Sequence, residues 1–318
     1  MRINGRSTVT AGGPVVKVEG GGVIWNEAYF PSRRENFQTF LEGVALRFSA
    51  NPVLLAGPYA GEFGHEIMDF QSYVRALKPK YREVHVITFP GREPLYRGCI
   101  VHPHNFDLKT AGYNYGRISN REARQYLHQF AREHHIPRYD IFGTMHLKTR
   151  WHRKLLFRQQ QEILRPLRPV TPGRKIVFHF RNIDKQGPDK NRNFASELAA
   201  EAVRLCRQAG FELACIGHPK YSLCPDGCED HRSEDLEETI AQIAASRLVV
   251  GELSGPLHLA VYCARPVAIW APDQWRIDGA FQRNPFKTKI LIIRADTTNP
   301  DPNEIVSAVK NAAAAHPT

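Results

Sequence analysis

The chain reads as an α/β protein, two doubly wound domains with parallel sheets facing a cleft. Three observations predict this. Short apolar runs alternate with segments whose apolar residues recur at helical spacing. The 318 residues exceed one average domain. A breaker cluster, Pro169-Val170-Thr171-Pro172-Gly173, separates two stretches in which the alternation starts afresh. We therefore expect an N-terminal domain over 1–170 and a C-terminal domain over 171–318, the last helix being available to pack back on the N-terminal one.

In the first half, the opening dozen residues through Gly12-Gly13-Pro14 read as disordered. Val15 to Val18 and Val23 to Trp25, across Gly20-Gly21-Gly22, read as a small hairpin. Val53 to Ala56 is a buried strand, and Ile67, Phe70, Val74 and Leu77 mark the helix after it. Val84 to Phe89 is a strand, Asn120 to His135 a polar amphipathic helix, and Tyr139 to Phe142 a further strand. Trp151 to Arg165 reads as a long basic helix closed by Pro166 and Pro169.

The second half alternates more cleanly. Lys175 to Phe180 is a strand, followed by a helix on Leu198, Ala202, Leu205 and Ala209. Phe211 to Ile216 is the next strand, then a helix on Leu236, Ile240 and Ile243 capped by Ser233 or Asp235. Arg247 to Val250, Pro266 to Trp270 and Ile290 to Ile293 complete the strands, and the last helix covers Pro302 to Ala314.

Composition narrows the class. Hydrophobic residues at 42% and charged ones at 24% describe an ordinary soluble protein. No apolar run approaches the roughly 18 residues that cross a bilayer, and Met1-Arg2-Ile3-Asn4-Gly5-Arg6 lacks the apolar core of a secretory signal. A cytoplasmic location is expected. The formal charge of +11 favours anionic partners: nucleotide phosphates, nucleic acid, or anionic lipid at which the protein docks peripherally. The densest basic stretch runs from Lys148 through Arg150, Arg153 and Lys154 to Arg174.

Cys206, Cys215 and Cys263 lie in apolar segments and read as small core residues. Cys224-Pro225-Asp226-Gly227-Cys228, with His218 and His231 nearby, fits either zinc or a loop with free or paired thiols. A single such pair favours the thiol loop.

Three loops follow strands and should open on the carboxyl edges of the sheets, where ligands bind in α/β proteins. The first, Gly57 to Glu66, carries glycines at 57, 61 and 64 and three proton acceptors, Glu62, His65 and Glu66. Its bland alternative is a carboxylate that merely caps the next helix. In the second, His179-Phe180-Arg181-Asn182-Ile183-Asp184-Lys185, alternation puts Phe178 and Phe180 on one face and His179 and Arg181 on the other. An arginine at that strand end can fork two phosphate oxygens, and Asp184 and Lys185 add to or fix its charge. Lys190, Arg192 and Asn193 follow as weaker anion contacts. An ordinary surface pair of Arg181 with Asp184 is the alternative.

The third loop, Gly251-Glu252-Leu253-Ser254-Gly255-Pro256-Leu257-His258, joins an apolar strand to an apolar helix whose positive end favours anions. Ser254 or Gly255 caps that helix and Pro256 suits its first turn. Glu252 suits ribose hydroxyls, and His258 either meets phosphate or packs structurally. Trp275 is either a base-stacking ring or a hydrophobic plug under a loop.

These residues resemble glycosyltransferases of the GT-B class, which have two Rossmann-like domains. Gly251 to Trp270 resembles the donor-phosphate motif of heptosyltransferase-type enzymes, with Glu252, Ser254, Gly255, Pro256 and His258 in its places. Gly61-Glu62 resembles the Gly-Asp of their first loop, with Glu for Asp. His179-x-Arg181-x-x-Asp184-Lys185 resembles the His-x-Arg-x-x-Asp segment of GDP-fucose-dependent transferases. The resemblance implies transfer of a sugar from a nucleotide-sugar to a hydroxyl acceptor (glycan, lipid-linked or other). It implies Glu62 as base, Arg181 and the start of the Gly255 helix on the diphosphate, and no metal or other cofactor. No Asp-x-Asp occurs in the chain to hold Mg²⁺. Two other readings stay open. One is another nucleotide-sugar enzyme such as an epimerase, although no Gly-x-Gly-x-x-Gly follows a strand. The other is a basic nucleic-acid-binding or nucleic-acid-modifying protein, although no nucleic-acid module is evident.

Overall fold

The computed structural model describes residues 33–104, 118–147, 159–171, 173–183, 192–294 and 296–314. They form two compact units. Unit 1 takes the described residues up to Glu66, those of 73–90, and those of 98–160; unit 2 takes 67–72, 91–97 and the described residues from 161 onward. The expected hairpin before residue 26 lies outside the described residues, as does the first half of the basic helix expected from Trp151. The described remainder of that stretch, 159–165, is irregular rather than helical. There the Leu164 amide donates to Tyr262 O at 2.8 Å and Gln161 to Met68 O at 3.4 Å, long-range partners that apolar spacing cannot register.

Unit 1 is built on four strands, β1 (Val53–Ala56), β2 (Glu83–Thr88), β3 (Ile100–Pro103) and β4 (Tyr139–Phe142), all parallel in the order β3-β2-β1-β4. The order reverses between β1 and β4, so the loops leaving these two neighbours diverge at the carboxyl edge. Helix α1 (Arg33–Phe48), strand β3 and the short helix after β4 have no counterpart in the sequence reading. Helix α1 is weakly amphipathic, with Thr39, Gly43 and Leu46 buried, and β3 is a half-exposed edge strand with no continuous apolar run. The segment after β1 is helical as expected, but in pieces: α2 (Phe63–His65), a π turn (Glu66–Phe70), and α3 (Gln71–Leu77). Helix α4 (Asn120–Glu133) opens with a full capping box between Ser119 and Glu122. Its apolar stripe, Ala123, Leu127, Phe130 and Ala131, packs on Val53, Leu55 and Ile87. A short helix, α5 (Thr144–Leu147), follows β4.

Unit 2 carries β5 (Ile176–Arg181), β6 (Leu213–Cys215), β7 (Ser222–Leu223), β8 (Glu229–Asp230), β9 (Leu248–Glu252), β10 (Val267–Trp270) and β11 (Ile290–Arg294). Six run parallel in the order β11-β10-β9-β5-β6-β8, and β7 lies antiparallel on the end of β5. The reversal falls between β5 and β9, paired in register as Ile176↔Leu248, Val177↔Val249, Phe178↔Val250 and His179↔Gly251. The helices are α6 (Ser196–Gln208), α7 (Leu236–Ala245), α8 (Gly255–Tyr262), α9 (Gln274–Gln282) and α10 (Pro302–Ala314). Asp235 caps α7, accepting from the Glu237 amide. Period-2 alternation holds on β5: Phe178 and Phe180 stack with ring centroids 5.0 Å apart. They join Val250, Trp270, Val203 and Ile305 in one core between the sheet, α6 and α10. The last helix, for which the sequence left a return to the N-terminal domain open, rests on α6 and β11 of its own unit.

Gly57 ends β1 at φ +132°, and a β-carbon there would lie 2.4 Å from the Ile87 carbonyl oxygen. The loop that follows is therefore clamped to β2, and the Tyr59 amide also donates to Ile87 at 2.9 Å. Gly57→Ala should destabilise the protein by about 1–3 kcal/mol, read as a lower urea midpoint together with faster amide exchange in β1. An unchanged midpoint would contradict the clamp.

Candidate functional site

At the order reversal of unit 2, the carboxyl ends of β5 and β9 deliver Arg181 and the loop Glu252–Ser254 side by side. Gly251 makes the join possible. A β-carbon there would lie 2.6 Å from the His179 carbonyl oxygen and 3.0 Å from Leu257, so only glycine lets α8 fold back this closely. Pro256 lies in the first turn of α8, and Ser254 is its N-cap by backbone position. The Ser254 hydroxyl does not cap the helix. It donates instead to the Glu252 carbonyl at 3.0 Å and stands 3.3 Å from Nδ1 of His179. The amides of Leu257 and His258 both bond the Ser254 carbonyl, and Pro256 has none. Gly255 therefore supplies the first-turn amide without an intrahelical partner, and the remaining anion preference of this end comes from the dipole.

Charge gathers around that edge. Arg181 is 6% exposed and Glu252 1%. Arg192 donates through Nε to Glu252 Oε1 at 2.5 Å and through Nη2 to the Leu253 carbonyl at 2.9 Å. Burial holds the Glu252 pKa above its ordinary value, although Arg192, Arg181 and Arg276 all pull it down. Arg276 is paired with Asp273 at 3.2 Å. Among the described residues, three guanidiniums stand against two carboxylates at this edge, a net positive balance. Glu252 Oε2 is buried without a partner among the described residues. His179 is the opposite case: burial, helped by Arg181, lowers its pKa to about 3, so its ring is neutral at physiological pH.

The loop after β5 is braced rather than loose at its ends. Asn193 grips Ile183 through both amide atoms, at 2.9 Å each, and the Phe194 amide donates to Arg181 O at 2.9 Å. Asp184, Lys185 and Lys190 lie outside the described residues. Trp275, at the start of α9, is 64% exposed with the Arg276 guanidinium 4.6 Å from its ring centre; it is a surface ring and no plug. His258 is half-buried one turn into α8.

The unit 1 loop separates its three acceptors. Glu62 is exposed and precedes α2 in extended conformation, yet its carboxylate makes no cap bond. The bland capping role is therefore not what holds it there. Its carbonyl accepts from the Tyr59 hydroxyl at 2.7 Å. His65 is half-buried. Glu66 is fully buried, and Thr88 donates to its Oε1 at 2.5 Å, which ties it to β2.

Sequence reading gave Arg192 and Asn193 only as weak anion contacts, and it passed over Arg276 altogether. Their actual roles are a buried ion pair with a residue 60 positions away and a loop clamp, and neither leaves a local pattern. The histidines near Cys224 and Cys228 turn elsewhere: His218 faces Glu234 at 3.4 Å and His231 faces Glu229 at 3.0 Å. Among the described residues no group of three or more His, Cys, Asp or Glu is arranged to hold a metal ion.

No family model matches the chain, and no curated protein matches it in sequence. Solved structures do match. The ADP-heptose LPS heptosyltransferase II of E. coli is 15% identical, with a TM-score of 0.53 over 82% of this chain and 98% of that one. A family 9 glycosyl transferase from Veillonella parvula DSM 2008 is 10% identical, with a TM-score of 0.52 over 84% and 98%. The E. coli heptosyltransferase WaaC, solved with ADP, is 11% identical, with a TM-score of 0.51 over 82% and 99%. At these identities the likeness is one of fold: the chain has the α/β architecture, with parallel sheets, of GT-B glycosyltransferases.

Because His179 titrates near 3 when folded and near 6.5 when unfolded, the unfolded chain binds the extra proton between those values. Stability should therefore fall as pH drops from about 6.5 towards 3. His102, also lowered by burial and by His85 and His134, acts in the same direction. His179→Gln should make the dependence shallower, measured as urea midpoints at neutral and mildly acidic pH. Identical pH dependence in both proteins would contradict the burial argument.

Proposed function

We propose that the protein is a glycosyltransferase that moves a sugar from a nucleotide-sugar to a hydroxyl acceptor. The observation that carries the reading is the order reversal in unit 2. There an almost buried arginine at the end of β5 and a helix N-terminus at the end of β9 meet on adjacent strands within a net positive edge. That is a diphosphate-binding arrangement on chemical grounds. The heptosyltransferases that share the fold include one named for ADP-heptose and one solved with ADP, which supports a nucleoside diphosphate as leaving group.

In this reading Arg181 and the start of α8, Gly255 to His258, hold the diphosphate. They stabilise the charge that develops as the glycosidic bond breaks. Glu252 sets Arg192 and so the edge of the loop after β5, and Ser254 orients against His179. Asp184 and Lys185 belong to the same loop. Trp275 offers an exposed ring on which a base can stack. Glu62 takes the proton of the acceptor hydroxyl, and it is favoured over Glu66 because its carboxylate is exposed and Glu66 is tied to Thr88. With no Asp-x-Asp in the sequence, the positive charge in this mechanism comes from the protein itself and not from a metal.

Thermal shift against ADP, UDP, GDP, CMP and dTDP should single out a nucleotide that raises the melting point. Arg181→Lys, which keeps the charge but loses the fork, should weaken that nucleotide about 10-fold or more. Tighter, salt-dependent binding of DNA than of any nucleotide would replace this reading with the nucleic-acid one. Glu62→Gln should lower kcat by about 10²- to 10⁴-fold while nucleotide affinity stays unchanged. Turnover that survives the change would pass the role of base to His65 or Glu66.

A further inference from the structure

Apolar residues stand on both sides of helix α1, and three of the large ones face outward. Thr39, Gly43 and Leu46 are buried. Phe37, by contrast, is 63% exposed, Leu41 51% and Phe48 82%, and Ala45 is exposed between them. Steps of four, four and three residues set Phe37, Leu41, Ala45 and Phe48 in one row along the helix, opposite the buried side. A surface helix of a globular protein turns its apolar side to the core. A continuous apolar row left outside marks a docking surface.

The helix cannot roll this row inward without losing its anchor. Arg124 on α4 donates to both carboxylate oxygens of Glu42, through Nε at 2.7 Å and Nη2 at 2.9 Å, and Nη2 also reaches the Thr39 hydroxyl at 2.7 Å. His146 on α5, fully buried, stands 3.7 Å from the same carboxylate. Arg124 is itself buried, so rolling α1 would strip a buried guanidinium of its carboxylate, which is strongly unfavourable. The outward position of Phe37, Leu41 and Phe48 is therefore fixed by what holds the other side.

Charge decides what covers the row. Every exposed charged residue of α1 is an arginine, Arg33 and Arg34 in the first turn and Arg47 in the last. Its two acids face elsewhere: Glu35 is half-buried and Glu42 is held by Arg124. A second copy suits such a surface badly, because two α1 helices packed in either sense would set arginine against arginine with no exposed carboxylate of α1 to offset them. A surface that is anionic at its face and apolar beneath suits it well. We propose that α1 docks the protein on anionic lipid, lying in the headgroup layer with Phe37, Leu41 and Phe48 inserted and Arg33 and Arg34 against the phosphates. The formal charge of +11 draws the chain to the same surface. Docking needs no nucleotide, so it stands or falls apart from the sugar-transfer reading.

The test sediments the full chain with vesicles of phosphatidylcholine alone and of phosphatidylcholine mixed evenly with phosphatidylglycerol. The chain should bind the mixed vesicles, less so as salt rises. Changing Phe37, Leu41 and Phe48 together to Gln should weaken that binding about 10-fold or more, and Arg33→Gln with Arg34→Gln should do the same. All these positions are exposed, so both variants should keep the wild-type urea midpoint. In the wild-type chain, amide exchange over 33–48 should slow on the mixed vesicles, a readout that needs no variant. Equal binding to both vesicle types, binding to neither, full binding by the Gln variant of the apolar row, or unchanged exchange over 33–48 would each overturn the proposal. So would a dimer in vesicle-free solution that the same variant dissociates, which would give the row to a second copy.

Discussion

The ladder between β5 and β9 is the constraint on which the rest of unit 2 depends. These two strands are far apart in sequence and adjacent in the sheet, and the chain leaves them in opposite directions. Their carboxyl ends cannot be covered by a common crossover, so the loops part at the point where α/β sheets commonly bind ligands. Whatever residues stand at those two ends are neighbours in space. Here they are Arg181 on one strand and Glu252 to Gly255 on the other.

Keeping that edge polar costs stability, and the structure shows how the cost is contained. A buried carboxylate and a buried histidine both sit under the edge. Glu252 is offset by Arg192, while His179 gives up its charge altogether. The aromatic stack of Phe178, Phe180, Phe194 and Trp270 fills the opposite face of the same strands. The strand alternation thus divides β5 into an apolar face that anchors it and a polar face that carries His179 and Arg181.

Much of this was legible in the sequence. Five of the seven described strands of unit 2 and the last helix are continuous apolar runs or clean helical stripes, whereas β7 and β8 are two-residue strands that no apolar run marks. The Gly251 turn was legible because strand, small residues and helix follow one another without a gap. What escaped has physical reasons. Helix α1 has too weak an apolar stripe to stand out, and β3 lies half-exposed at a sheet edge. The stretch 159–165 carries helix-forming residues, but partners far off in sequence hold it, the Leu164 amide donating to Tyr262 O and Gln161 to Met68 O. Arg192 acts through a partner far away in sequence. In unit 1, Glu62 and Glu66 look equivalent as letters, and only burial and the Thr88 bond separate them.

Hydrogen exchange with and without saturating nucleoside diphosphate tests the central claim most directly, because it asks where the ligand sits and not whether it binds. The account predicts slower exchange at the amides of 181–183, 192–194 and 252–258. Protection confined to other segments, in a sample shown to be saturated, would contradict it.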